Sequence, residues 1–335
     1  MTEIKITNGN FYINNVLSNY NKPAAQGRLI GVYSDMCAFF DKNVADVEKN
    51  TLEFIKNIPE WKKSGVDLIT VGLQSPSPFA EYYKKSRQQD KSKNLSFESS
   101  AIKPDGSLNF DFLENAKEII KAADNLGFAA LVNILSPSCE HIFEDEFALV
   151  NGVLNAAGWL SEQSFTNILV NITDVSHTFY KSSVLNGGRI IKVLKSVREK
   201  LKDGMILGAG IKTFAKFSEK NIADYILLSD FIPIYADYAK SGHNTKKMLE
   251  KIFFVRENMR KANREIPIIM SKGDDLSEWY NYYGKNNLLE ALENNISWCY
   301  YDKDGFVLLK NNLTDWDKNS TPEKKRFFEA VENIV

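Results

Sequence analysis

The chain has 335 residues, 44% of them apolar, enough to bury a large core within a single α/β domain. With 42 basic side chains against 43 acidic ones the formal net charge is -1, which removes global steering of polyanions and makes nucleic acid a poor partner. No apolar run approaches the ~20 residues of a membrane-spanning helix, and the opening MTEIKITNGNFYINN holds no secretory apolar core, so a soluble, cytoplasmic protein is expected.

Residues 4 to 16 alternate around Asn8-Gly9, a strong hairpin signal, and this hairpin is expected to close the bottom of a barrel. That divides the chain into a hairpin and lead-in over 1–25 and a barrel over 26–335. Eight apolar runs of strand length follow, at Leu29 to Tyr33, Val66 to Leu73, Phe128 to Leu135, Ile168 to Ile172, Met205 to Ala209, Tyr225 to Ser229, Ile266 to Ser271 and Ile296 to Tyr301. Their spacers are mostly helical, which predicts an α/β fold with a single (β/α)8 TIM barrel whose C-terminal strand ends carry the chemistry.

In chain order, the first strand tip runs Tyr33-Ser34-Asp35-Met36. A helix over Asp46 to Lys63 repeats apolar positions at Leu52, Ile55, Ile58 and Trp61, with Pro59 as a kink. The second strand ends at Gln74 and opens the longest connection, through EYYKKSRQQDKSKN, with the length of a lid or cleft rim. After the PDGS turn at 104 to 107, a helix from Phe110 to Leu126 is stopped by Gly127. The third strand leads to Asn133, Ser136 and Ser138, then Glu140-His141. A helix over Glu144 to Gln163 sets Phe147, Val150, Leu154, Ala157 and Leu160 toward the sheet. The fourth strand breaks abruptly into Thr173, Asp174, Ser176 and His177, as a buried parallel strand does when its tip opens into a site. An amphipathic helix spans Val184 to Leu201, and the sixth strand is expected to emerge at Ser229-Asp230. A helix from Thr245 to Ala262 leads to the seventh strand, which ends Ser271-Lys272-Gly273-Asp274-Asp275 before Trp279, Tyr280, Tyr282 and Tyr283. The eighth carries Trp298, and a last helix covers Pro322 to Ile334.

An aromatic rim with short polar side chains suits a neutral polyhydroxylated ligand, because flat rings cover sugar C-H faces while amides and carboxylates match hydroxyls. The three histidines, His141, His177 and His243, belong to three strand ends with no HxH or HExxH pair, so no metal is expected. Cys37, Cys139 and Cys299 are too dispersed for a disulfide framework or zinc spacing and read as ordinary thiols. There is no P-loop or dinucleotide fingerprint, since Gly208-Ala209-Gly210 lacks the strand-turn-helix continuation, and no cofactor is expected.

The phrases FIKNIPEWKKSGVDLITVGLQ, KPDGSLNFDFLENAKEIIKAADNLGF, VNITDVSH, IPIIMSKGDD and NISWCYYD give the chain a family likeness. From Gly27 to Val335 it resembles a bacterial, cellulase-like branch of the (β/α)8-barrel glycoside hydrolase superfamily. The resemblance implies an Asn-Glu at the end of strand four, with the Glu as acid/base, and a Glu nucleophile at the end of strand seven. Two carboxyl groups are needed because one protonates the leaving oxygen while the other attacks the sugar or activates water. This chain departs at both places. Ungapped, the Asn falls on Asp174 and the Glu on Val175, and a one-residue gap moves them to Thr173 and Asp174; the nucleophile position holds Lys272. Strand six, which in the family offers His or Tyr to the nucleophile, is read with Ser229 there. Gln74 and Trp298 match the family, Trp298 as a sugar platform.

The leading expectation is therefore a glycoside-hydrolase-like barrel without ordinary hydrolase activity, acting as a glycan-binding or protein-interaction module, with Lys272 paired to Asp174 or Asp274. Its ligand set is Asp35, Gln74, Asn133, His177, Tyr280 and Trp298, and its partner an oligosaccharide or other polyol, or a protein. The alternative is an active hydrolase with a displaced pair, Asp174 with Asp274 or Asp275, and Asp35 or Asp230 as a further acid. A third reading makes a desolvated Lys272 a Schiff-base amine.

Overall fold

In the computed structural model the described residues are 1–34, 39–40, 46–74, 100–174, 182–211, 217–235, 244–273, 287–301 and 315–334. Strands β1 (Ile4–Thr7), β2 (Asn10–Ile13) and β3 (Val16–Leu17) form a small antiparallel sheet. Its first turn is the one predicted: Asn8 and Gly9 take φ of 50° and 69°, and Thr7 pairs with Asn10, the two-residue left-handed turn that suits strand twist. The expected hairpin gains β3 as a third strand.

Eight parallel strands make the main sheet: β4 (Ile30–Tyr33), β5 (Leu68–Gly72), β6 (Ala129–Leu135), β7 (Ile168–Thr173), β8 (Ile206–Gly208), β9 (Ile232–Tyr235), β10 (Ile268–Gly273) and β11 (Ile296–Tyr301). They pair in the order β8-β7-β6-β5-β4-β11-β10-β9, a nearly closed barrel. Eight helices are described: α1 (Val47–Ser64), α2 (Phe110–Asn125), α3 (Glu146–Glu162), α4 (Arg189–Lys200), α5 (Glu219–Leu228), α6 (Asn244–Lys261), α7 (Asn287–Glu293) and α8 (Pro322–Glu332). The fold is the expected (β/α)8 barrel.

Alternation along the strands divides the core into two regions. Leu29, Leu68, Leu131, Leu169, Phe231, Ile269 and Cys299 gather inside the barrel, and Ile4 and Phe11 of the small sheet plug them from below. Residues of the opposite parity, such as Ile30, Val71, Val132, Val170, Met270, Trp298 and Tyr300, join the larger region between sheet and helices. Gly31 is confined to glycine by the interior: a Cβ there would lie 2.9 Å from both the Cβ and the carbonyl oxygen of Leu68.

The open edge between β8 and β9 is held by Asp230. Its N–H donates to the Leu207 carbonyl at 2.7 Å, and its Oδ2 accepts the Leu207 N–H at 2.9 Å. Arg198 and Arg264 clamp the same carboxylate.

Strand six therefore differs from the sequence reading. Tyr225 to Ser229 is the last turn of α5 and its cap, started by Ser218, whose side chain accepts from Asn221 N–H; the strand is Ile232–Tyr235. Ser229 and Asp230 thus lie at the lower, N-terminal end of the strand, and Asp230 cannot serve as an acid at the mouth. Two helix stripes hold except at their first positions: Leu52 and Phe147 are exposed, while Ile58 and Trp61 on α1 and Ala157 and Leu160 on α3 are buried as expected, joined by Phe54 on α1 and Leu149 and Val153 on α3. The α7 helix had no counterpart in the sequence reading.

Candidate functional site

At the upper end of the barrel the strand tips turn from apolar to polar. Asp174 follows directly on β7, and its N–H donates to the Leu135 carbonyl at 2.7 Å, which fixes the start of the loop. The side chain is only 3% exposed. Its Oδ2 accepts a hydrogen bond at 2.8 Å from the hydroxyl of Tyr33, the last residue of β4. Because β7 and β4 are three places apart in the strand order, this contact reaches across the mouth and joins two walls of the barrel.

Tyr33 also meets Tyr301, the last residue of β11, edge to face with ring centroids 5.4 Å apart. Both rings are half-buried. These two tyrosines bring aromatic rings from two strand tips to the mouth. Trp298 does not join them. It is fully buried, and two residues on, with the same parity, Tyr300 stacks on Phe327 of α8 at 4.3 Å. The indole therefore packs between sheet and helix, and the expected sugar platform is corrected on that ground.

Beneath the tyrosines lies a buried polar layer. Asn171 on β7 donates from Nδ2 to Asn133 Oδ1 on β6 at 2.7 Å, and its own Oδ1 accepts the Gly210 N–H at 3.0 Å. Thr173 Oγ1 donates to the Gly210 carbonyl at 2.7 Å. Asn133 Nδ2 and Ser271 Oγ are buried without a hydrogen-bond partner among the described residues and keep their bonding capacity. Cys299 sits in the barrel interior, where burial first, then the charges of Asp67 and Asp174, push its thiol pKa well up. It is neutral and inert at ordinary pH.

Gln74 is committed elsewhere. Its Nε2 donates to Ser100 Oγ and its Oε1 accepts the Ser136 N–H, each at 3.1 Å, so it ties the end of the second barrel strand to Ser100 and to the start of the loop after β6. Lys272 lies in β10 in register with Tyr235 of β9, and only its backbone is described. With the sixth strand placed correctly, the strand-six tip that the resemblance assigns to His or Tyr is Tyr235. Asp35, His177, Asp274, Asp275, Tyr280, Tyr282 and Tyr283 lie outside the described residues. Among the described residues no group of three or more His, Cys, Asp or Glu side chains could hold a metal ion, and no helix is long and apolar enough to cross a membrane.

Sequence reasoning named Asp174 and Asn133, which the structure brings to neighbouring strand tips. It missed Tyr33 and Tyr301 as a pair, although both end apolar runs and point by parity into the barrel.

No protein-family model matches the chain, and no curated protein matches it in sequence. Its backbone is similar to that of solved glycoside hydrolases. A putative glycoside hydrolase from Bacteroides vulgatus superposes with a TM-score of 0.58 at 12% identity, over 98% of this chain and 61% of that one. A broad-specificity GH5-4 endoglucanase from Clostridium longisporum gives 0.56 at 12% identity, over 92% and 97%. The endo-1,4-β-D-mannanase from Thermotoga petrophila, solved with maltose and glycerol, gives 0.53 at 10% identity, over 91% and 99%. At these identities the likeness is one of fold, and the fold is that of the cellulase- and mannanase-type (β/α)8 barrels.

Proposed function

We propose that the barrel mouth binds an oligosaccharide or similar polyol without ordinary retaining hydrolysis. The observation that carries this reading is the Tyr33–Asp174 contact. The carboxylate at the strand-four tip is buried and engaged by a phenol, and strand seven offers Lys272 where a retaining hydrolase of this fold would need a carboxylate nucleophile. A lysine cannot form and release a glycosyl ester. The half-buried rings of Tyr33 and Tyr301, with Asn133 and Ser271 beneath them, offer the apolar faces and hydrogen-bonding groups that a sugar requires. The fold neighbours support the class of ligand, since one of them, the mannanase, was solved with maltose and glycerol.

The remaining members of this proposal are residue-specific. Lys272 ion-pairs with Asp174 or Asp274, because a lone ammonium in a low-dielectric mouth is costly. Asp35, His177 and Tyr280 complete the proposed ligand set. Calorimetry with gluco- and manno-oligosaccharides, repeated with Tyr301→Ala, tests the reading. Binding should weaken by roughly tenfold when the ring is removed. No binding at millimolar ligand would leave a protein-interaction role ahead. Turnover of aryl or natural glycosides that is lost on Asp174→Asn would refute it in favour of the displaced pair, Asp174 with Asp274 or Asp275.

A further inference from the structure

The opposite end of the barrel carries a cavity of about 530 Å³, beneath strands β4, β10 and β11. Four arginines line it: Arg28 from the lead into β4, Arg256 and Arg260 from the last turns of α6, and Arg264. Arg264 pairs with Asp230 at 3.2 Å and shares that carboxylate with Arg198. The other three have no such pair. None of the ion pairs formed among the described residues includes Arg28, Arg256 or Arg260, and the one carboxylate in the cavity wall, Glu265, makes no ion pair either.

This arrangement is expensive in the free protein. Burial and then the neighbouring Arg256 charge push the Arg28 pKa down, with Glu265 acting against them. For Arg256 burial acts downward first, Glu265 opposes it, and Arg260 adds to it. The helix dipole accounts for basic residues at the end of α6, and so for Arg260, but not for Arg28, which arrives from another segment. Arg28 is also held in place: its Nη1 donates to the carbonyls of Gly9 and Gly27 and to Asn10 Oδ1, at 2.9 to 3.0 Å, while Nη2 has no acceptor among the described residues. Arg256 is fixed by donating to the Asn294 carbonyl. Three guanidiniums less the Glu265 carboxylate leave two positive charges facing a cavity of small-ligand size.

We infer that this cavity is a binding site for a small phosphate-bearing ligand, separate from the barrel mouth. A phosphate monoester carries nearly two negative charges near neutral pH, matching the surplus, and guanidinium forks pair phosphate oxygens two at a time. The site binds and does not catalyse, in keeping with its place at the bottom of the barrel.

Titration calorimetry with inorganic pyrophosphate as the probe, and citrate as the carboxylate counterpart, tests the assignment on the full chain. Pyrophosphate should bind the wild type, and its affinity should fall by roughly tenfold or more in Arg256→Gln and in Arg260→Gln, the loss expected for one ionic hydrogen bond. Arg260 is exposed, so that variant folds even if Arg256→Gln does not. Lys121→Gln, on the exposed face of α2, should bind as the wild type does. Absence of binding at millimolar pyrophosphate would overturn the inference. So would an equal loss in Lys121→Gln, which would mark diffuse charge, or citrate binding as tightly as pyrophosphate.

Discussion

Asp67, just before β5 at the bottom of the barrel, makes stability fall as pH rises. The carboxyl is 5% exposed. Oδ1 accepts the Ile30 N–H at 2.8 Å and Oδ2 accepts from Asn19 at 3.0 Å. Burial nevertheless outweighs these bonds and the charges of Lys62 and Lys22, and its pKa is raised from 3.8 to about 7. An acid whose folded pKa lies above its unfolded one binds more protons when folded. Its stabilisation is thus complete below about pH 4 and is lost as pH climbs to about 7. Between about pH 5 and pH 8 the loss from this one group is about 3 kcal/mol, a large share of a typical folding free energy. Urea unfolding across that range should show the decline in the wild type. Asp67→Asn, neutral at every pH, should flatten it and gain on the wild type at the alkaline end. Lys62→Ala should steepen it, since Lys62 is the largest charge opposing protonation. A wild-type profile that is flat from about pH 5 to 8, or a slope that survives in Asp67→Asn, would refute the reasoning. Glu332 works in the opposite direction: its bonds to Ser64 and Lys318 lower its pKa, so its contribution fades only in acid, below its unfolded value of 4.5.

Two further changes test the barrel itself. Gly31→Ala would set a methyl group 2.9 Å from the Leu68 carbonyl oxygen and 3.0 Å from Cys299 Sγ, and because backbone cannot yield cheaply it should cost about 1–3 kcal/mol in denaturant unfolding. Asp230→Ala strips Arg198, Arg264 and the Leu207 N–H of one shared acceptor; the carboxylate is 27% exposed, so the cost should be about 2–3 kcal/mol, below that of a fully buried pair, with hydrogen exchange at β8 and β9 accelerating before the rest of the barrel. Unchanged exchange there would show that the open edge does not depend on Asp230.

Seven of the eight strands were legible because a strand buried on both faces is an unbroken apolar run, and such runs are visible without knowing what covers them. The sixth was not, because Tyr225 to Ser229 and Phe231 to Tyr235 are adjacent apolar runs of equal length, and periodicity over five residues cannot separate a helix end from a strand. What separates them is the Ser218 cap, which starts a helix seven residues before Tyr225, and the Asp230 bonds that place β9 against β8. The error carried forward into the site, since a misplaced strand moved its tip from Tyr235 to Ser229. Trp298 failed for a different reason. An apolar run says that both faces are covered, but which face looks into the barrel depends on neighbours far away in sequence, here Phe327 behind Tyr300 and Tyr33 beside Tyr301. The arginine cavity is the extreme of that kind, for Arg28 and Arg256 are separated by most of the barrel and no spacing rule links them. Local pattern thus identifies an element, whereas the direction of a side chain is settled by closure of the whole sheet: the Tyr33–Asp174 contact arises only when the first barrel strand faces the fourth, and the Arg28–Arg256 repulsion only when it meets the helix that leads into the seventh.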